Sequence, residues 1–289
     1  MRNASQSILT ACHAQYITSR TSVRRKERLA KIYCPDTKKF TAKSVLKIFI
    51  FTFLSIPFFC NAQPVKQTTD KKKIILHFKN MVGEKLLQTD SIYKNIFNEP
   101  FTVRSFKYYV SNIVLQDDAT GKFQSYPTGY FLVDEADSAS KQIELTTTLG
   151  HISAIHFLLG VDSLKNVSGI QTGNLDPSNG MFWTWNTGYV MAKLEGNSPL
   201  AKTPAHAFSY HVGGYKQNQK TERSIRLVLP SLADTKAENY FTINANILTW
   251  FSGINNIKIE AVSFCHEPGP LAVMLADNYA NMFNITATK

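Results

Sequence analysis

Phe101-Thr102-Val103-Arg104-Ser105-Phe106-Lys107-Tyr108-Tyr109-Val110-Ser111-Asn112-Ile113-Val114-Leu115 is a long β-rich run, and Asp117-Asp118-Ala119-Thr120-Gly121 closes it with a turn signature. Upstream, Ile74-Ile75-Leu76-His77-Phe78-Lys79 alternates, placing Ile74, Leu76 and Phe78 on one face and His77 on the other. Downstream the same habit recurs in Tyr130–Val133, Lys141–Leu145, Ile152–Leu159, Gly188–Leu194, Ala205–Val212, Ser224–Leu229, Tyr240–Ile243 and Asn256–Phe264. Turn clusters separate these runs. Only Asn244–Phe251 and Pro270–Phe283 read as short helices. Many short strands between Gly, Pro and Asn turns predict an all-β chain, an antiparallel β-sandwich with few short helices.

The charge of the chain is unevenly spread. Of 32 Lys+Arg and 21 Asp+Glu, residues 1–62 hold 11 and 2, a surplus of +9, which leaves +2 for the remainder of the +11 total. The basic character belongs to the leader and is no argument for nucleic-acid binding, which needs a basic face on the folded domain. Lys43 and Lys47 precede the apolar run Ile48–Phe59, which is too short for a bilayer span of roughly 20 residues. Cys60-Asn61-Ala62 then puts small residues at the −3 and −1 positions. This pattern predicts a signal peptide cleaved before Gln63, a periplasmic or secreted product, and no stable membrane span after cleavage. Phe59 is too bulky for lipoprotein processing at Cys60. The expected organisation is a leader over residues 1–62 (a disordered extension plus the signal peptide), a tether over 63–73 and one domain over 74–289. The exported part keeps only Cys265, so it has no internal disulfide and rests on its core.

No nucleophile elbow, P-loop, dinucleotide fingerprint, CxxC or HExxH is present, and nothing in the motifs proposes an enzyme. The exported histidines are His77, His151, His156, His206, His211 and His266. His156 shares a strand face with Ile152, Ala154 and Leu158, which predicts burial. His206 and His211 are read on one strand, pointing to opposite sides. Val212-Gly213-Gly214 follows His211, and paired glycines at a strand end let backbone or ligand come close. Cys265-His266 reads as a buried thiol beside a surface imidazole, or as a soft-ligand pair.

Gly180-Met181-Phe182-Trp183-Thr184-Trp185-Asn186-Thr187-Gly188-Tyr189 carries two of the three tryptophans, spaced so that in a strand both rings share a face. With Phe106–Ile113, Leu159–Asn166, Leu175–Asn179, Tyr210–Gly214 and Ala276–Tyr279, this segment resembles the MbnP-like family of exported copper-binding proteins, in its Bacteroidetes-type form. The resemblance covers about residues 74–283. It implies a β-rich periplasmic or secreted domain with a mononuclear copper site built from histidine and a tryptophan oxidised to kynurenine. It further implies a MauG-like di-haem peroxidase partner that makes the modification. Carried over residue by residue, it marks His211 and the Trp183/Trp185 pair; His77 and His156 are added as further candidate ligands. Where methanotroph members carry a histidine, this chain reads Asn166-Val167-Ser168-Gly169, a departure from the family site.

Two functions follow as expectations. One is an exported copper-binding protein of copper acquisition or handling, without catalytic turnover. The alternative is a β-sandwich recognition module that holds glycan or protein on exposed Trp183, Trp185 and Tyr189. Convergence of histidines near the tryptophans argues for the first; flat exposed rings argue for the second.

Overall fold

Burial along the longest strand changes parity twice, and this shapes the whole domain. The computed structural model describes residues 70–185, 188–236 and 238–288, so the leader and most of the tether lie outside the described residues. These residues belong to the unit Pro64–Lys289. In chain order the strands are β1 (Lys72–Val82), β2 (Lys85–Leu86), β3 (Tyr93–Lys94), β4 (Pro100–Asp117), β5 (Lys122–Asp134), β6 (Gln142–Thr147), β7 (His151–Leu159), β8 (Phe182–Trp183), β9 (Gly188–Asn197), β10 (Ala207–Gly213), β11 (Arg223–Asp234), β12 (Glu238–Asn246), β13 (Phe264–Cys265) and β14 (Phe283–Thr288). The α-helices are α1 (Ser163–Val167) and α2 (Pro270–Tyr279). Lys72 and Lys73, read from sequence as tether, already belong to β1.

In β4 the core-facing residues are Phe101 and Val103, then Phe106, Tyr108 and Val110, then Ile113 and Leu115. The register shifts between Val103 and Ser105, and again after Ser111. Each bulge inserts one residue and flips the inward parity. Asn112 sits at the second with φ 50°, a left-handed conformation that asparagine tolerates better than most residues. Bent in this way, β4 pairs with β9 along its first half and with β5 and β7 along its second.

One sheet runs β14-β12-β1-β2, with β6 also on β1. The other runs β11-β7-β4-β9-β10-β13, with β3 and β5 on β4 and β8 on β9. The sandwich is all-β, as expected, but not wholly antiparallel. β1 and β12 pair in parallel (Leu76↔Phe241), and so do β10 and β13 (Ser209↔Phe264). The first pairing returns the chain to the small sheet only after most of the large one has been built. Phe78 of β1 meets Tyr108 and Phe157 of the large sheet edge-to-face at 6.1 Å each, fastening the sheets together, and Phe283 of its own sheet at 6.3 Å. Burying each such ring contributes about 1.5–3 kcal/mol. A second, smaller cluster, with Tyr109, Met181, Trp183, Tyr189 and Met191, lies on the other face of the large sheet, since Tyr108 and Tyr109 are neighbours that point apart.

Three local expectations are corrected. Asn256–Phe264 forms no continuous strand; only Phe264 belongs to one. The buried Glu99 carboxylate accepts the backbone N–H groups of Ile259 and Glu260 at 2.8 and 3.0 Å, and so holds the segment as a loop instead of a ladder. Asn244–Phe251 is not one helix. β12 continues to Asn246, whose side chain accepts from Leu248 N–H at 3.1 Å and starts a short 3-10 turn over Ile247–Trp250. His206 precedes β10 at φ 52° instead of sharing the strand with His211. Among the described residues, no helix is long and apolar enough to cross a membrane.

Candidate metal centre

β9 and β10 are neighbours in which Lys193 faces His211 and Glu195 faces Ser209. Leu194, Tyr210 and Val212 point into the core, so alternation sends Lys193, Glu195, Ser209 and His211 to the outer face. The parallel strand β13 then delivers His266 beside them. The imidazoles of His211 and His266 stack with centroids 3.9 Å apart and planes inclined by 17°. Both Nε2 atoms approach Ser209 Oγ, His266 at 2.7 Å and His211 at 3.2 Å. His211 Nε2 donates to Glu195 Oε1 at 2.6 Å, and Lys193 Nζ is 3.4 Å from the same oxygen.

The electrostatics follow from this geometry. The hydrogen bond from His211 holds the Glu195 carboxyl down to about 2; burial opposes this and Lys193 assists. Burial, with adjacent His211 as the next cause, holds His266 down to about 4. His266 is therefore a neutral imidazole near pH 7, with its Nε2 engaged by Ser209 Oγ. Cys265 does not share the role. Its thiol is buried, and burial pushes it up to about 11, so no thiolate is on offer.

The tryptophans flank the same end of β10. A Cβ on Gly213 would lie 2.8 Å from the Trp183 ring, so only glycine lets that indole rest against the strand. β8 is two residues long and Trp185 falls in the turn after it. The two side chains are unequally buried: Trp183 is 7% exposed and Trp185 65%. Their rings lie 5.5 Å apart, tilted by 36°. Trp185, Gly214, Glu267 and Pro268 line one pocket of about 200 Å³, which brings Trp185 against the residues that follow His266.

The other two candidate ligands stand elsewhere. His156 on β7 lies opposite Val114 of β4, whereas His211 reaches β4 through Lys193, opposite Lys107. Seven residues of strand separate the two positions, roughly 20 Å. His156 is half-buried rather than buried, because Ile155, Phe157 and Leu159 face the core; its Nε2 is 2.6 Å from Gln116 Oε1. His77 is on the outer face of the five-stranded sheet, across the sandwich. One ion cannot be shared by His77, His156 and His211. Among the described residues no group of three or more His, Cys, Asp or Glu is arranged to hold a metal ion. The donor set is two imidazoles beside an indole pair. Imidazole nitrogen suits copper, zinc, iron or nickel, and an ion held there would need a further donor.

Asn166 ties the departure segment to the tryptophan strand. Its amide donates to Val161 O at 3.0 Å, and its oxygen accepts from Tyr189 N–H at 2.8 Å, both buried. Asn166→Ala is expected to cost about 1–3 kcal/mol by leaving that N–H unpaired. Denaturant unfolding followed by tryptophan fluorescence checks this, and an unchanged midpoint would refute the tie.

The sequence profile of the MbnP family matches residues 71–267. Among solved structures, MbnP from Methylosinus trichosporium aligns with a TM-score of 0.52 at 13% identity, over 76% of this chain and 100% of that one. At that identity the likeness concerns the fold. No curated protein matches the sequence.

Proposed function

The chain belongs to the MbnP family, and from that premise we propose that it is an exported copper-binding protein that serves copper acquisition or handling without catalytic turnover. The observation that carries this reading is the stacked pair His211 and His266, held on Ser209 beside the Trp183/Trp185 end of β10. Imidazole nitrogen suits copper, and copper(I) accepts two or three ligands. His266, neutral near pH 7, coordinates once its Nε2 gives up Ser209 Oγ, or through Nδ1. Glu195 accepts the Nε2–H of His211, which orients the ring and leaves Nδ1 as the nitrogen with a lone pair for the metal.

The third donor in this proposal is a tryptophan oxidised to kynurenine, whose carbonyl and amine coordinate where indole does not. A di-haem peroxidase of the MauG type is the proposed oxidising partner. Trp185 is the better target, because its ring is 65% exposed while Trp183 is packed under Gly213. The recognition-module reading gains less support. The two rings are tilted and unequally buried, so they make no flat platform.

Intact-mass and metal analysis of protein purified from its native host tests the proposal. Expected are a chain that begins at Gln63, a mass gain at one tryptophan and about one copper per chain. A copper-free, unmodified chain that binds no copper after treatment with its peroxidase partner would overturn it.

A further inference from the structure

Across the sandwich from the histidine pair, the edge of β1 left open between β6 and β2 carries a pocket of about 310 Å³. It is lined by His77, Lys79, Ser138, Lys141 and Gln142 over a floor of Asn80 and Glu135, with Leu86 and Leu87 as an apolar wall. The lining follows from the sequence. His77 and Lys79 are two apart on β1, on the face opposite Phe78, and Gln142 of β6 pairs directly with His77. The hairpin to β2 folds Leu86 back along the same end, 59% exposed at the rim.

The charges within it do not cancel. Glu135 is fully engaged: one oxygen takes Lys141 Nζ at 2.8 Å and the other accepts from the buried Asn80 amide at 2.7 Å. That leaves Lys79 as an unmatched cation. Among the described residues, neither Lys79 nor His77 has a hydrogen-bond or ion-pair partner, and the same holds for the side chains of Ser138 and Gln142. Burial, then Lys79 and Lys141, hold the His77 imidazole below its ordinary pKa, in keeping with an uncompensated positive field. The groups facing His77 are thus Lys79 from its own strand, Lys141 from the turn before β6 and Glu135 after β5. β12 brings Thr242 opposite, which carries no charge.

A concave pocket with a free ammonium, a free imidazole and neutral donors is built for an anion of small-molecule size. We infer that this pocket binds a small organic oxyanion, a carboxylate or a phosphate, through Lys79 and His77, with the remainder of the ligand against Leu86. This site is independent of the metal centre, and it gives His77 a role other than that of metal ligand.

An NMR titration of the purified protein tests the inference, with inorganic phosphate and, separately, butyrate as probes at constant ionic strength. Saturable shifts of the His77 ring and Lys79 resonances are expected. Lys79→Gln should weaken binding about tenfold or more, the worth of one charge-assisted hydrogen bond. Lys85→Gln, which removes a neighbouring cation outside the pocket, should leave binding unchanged. Tighter saturation by phosphate assigns a phosphoryl ligand; tighter saturation by butyrate assigns a carboxylate with an apolar tail. No saturable shift with either probe, or equal affinity in Lys79→Gln, would overturn the inference.

Discussion

Replacing His266 with alanine is expected to weaken copper(I) binding about a hundredfold or more while leaving the fold intact. Residues that only orient a ligand are worth about 10–100-fold in metal affinity, and a ligand itself is worth at least the upper end of that range. His266 holds one of two protein nitrogens that reach Ser209 Oγ. It follows β13 at the surface and is half-buried, so its loss leaves little cavity. His211→Ala should act as strongly. Glu195→Gln should act more weakly, about tenfold, since it removes only the acceptor that orients His211. His77→Ala and His156→Ala stand off the centre and should leave affinity unchanged. Competition against a copper(I) chelator, run on each variant with a circular-dichroism check of folding, gives the ranking. If His266→Ala binds like the parent while His211→Ala does not, the stacked pair is structural and the centre is a one-histidine site.

His266 shows what spacing alone can and cannot tell. Cys265-His266 was visible as a possible ligand pair, and His211 was marked by the glycines after it. Nothing in their separation indicates that they meet. They do so because β13 joins β10 in parallel, and a parallel partner can come from anywhere later in the chain. The same limit applies to β1 and β12, which looked like two more antiparallel strands. The alternation in Ile74–Lys79 was legible because one face of β1 meets the core and the other does not. The period of Phe101–Leu115 was only partly so: two bulges break it, and bulges answer to tertiary pairing. Trp183 and Trp185 share a spacing and their rings meet, but they differ in burial, because β8 stops after Trp183. Ile257 and Ile259 looked like strand residues because they are buried, yet it is Glu99, far off in sequence, that claims the backbone beside them.

Gly196→Ala is expected to be the most destabilising single-methyl change in the domain, and Gly150→Ala a mildly stabilising one. Gly196 lies in β9 between two partners, Val103 of β4 and Phe208 of β10. A Cβ there would meet the Phe208 ring at 2.8 Å and press closer still on the backbone carbonyl of Thr102. A side chain can turn aside, but a paired backbone cannot without opening the ladder. The cost should reach or pass the top of the about 1–3 kcal/mol range for overpacking. For a domain of this size that is a fall in Tm of roughly 6–12 °C. Glu195 is the adjacent residue, so the variant should also disturb the His211–Glu195 contact and weaken the proposed metal centre. Gly150 precedes β7, and a Cβ there meets nothing within 4 Å. Alanine at that position restricts the unfolded chain and should add about 0.4–1 kcal/mol. Calorimetry on the two variants decides the matter. Equal melting temperatures would mean that β9 is not clamped between its neighbours, and would remove the rigid floor on which Glu195, Ser209 and His211 are arranged.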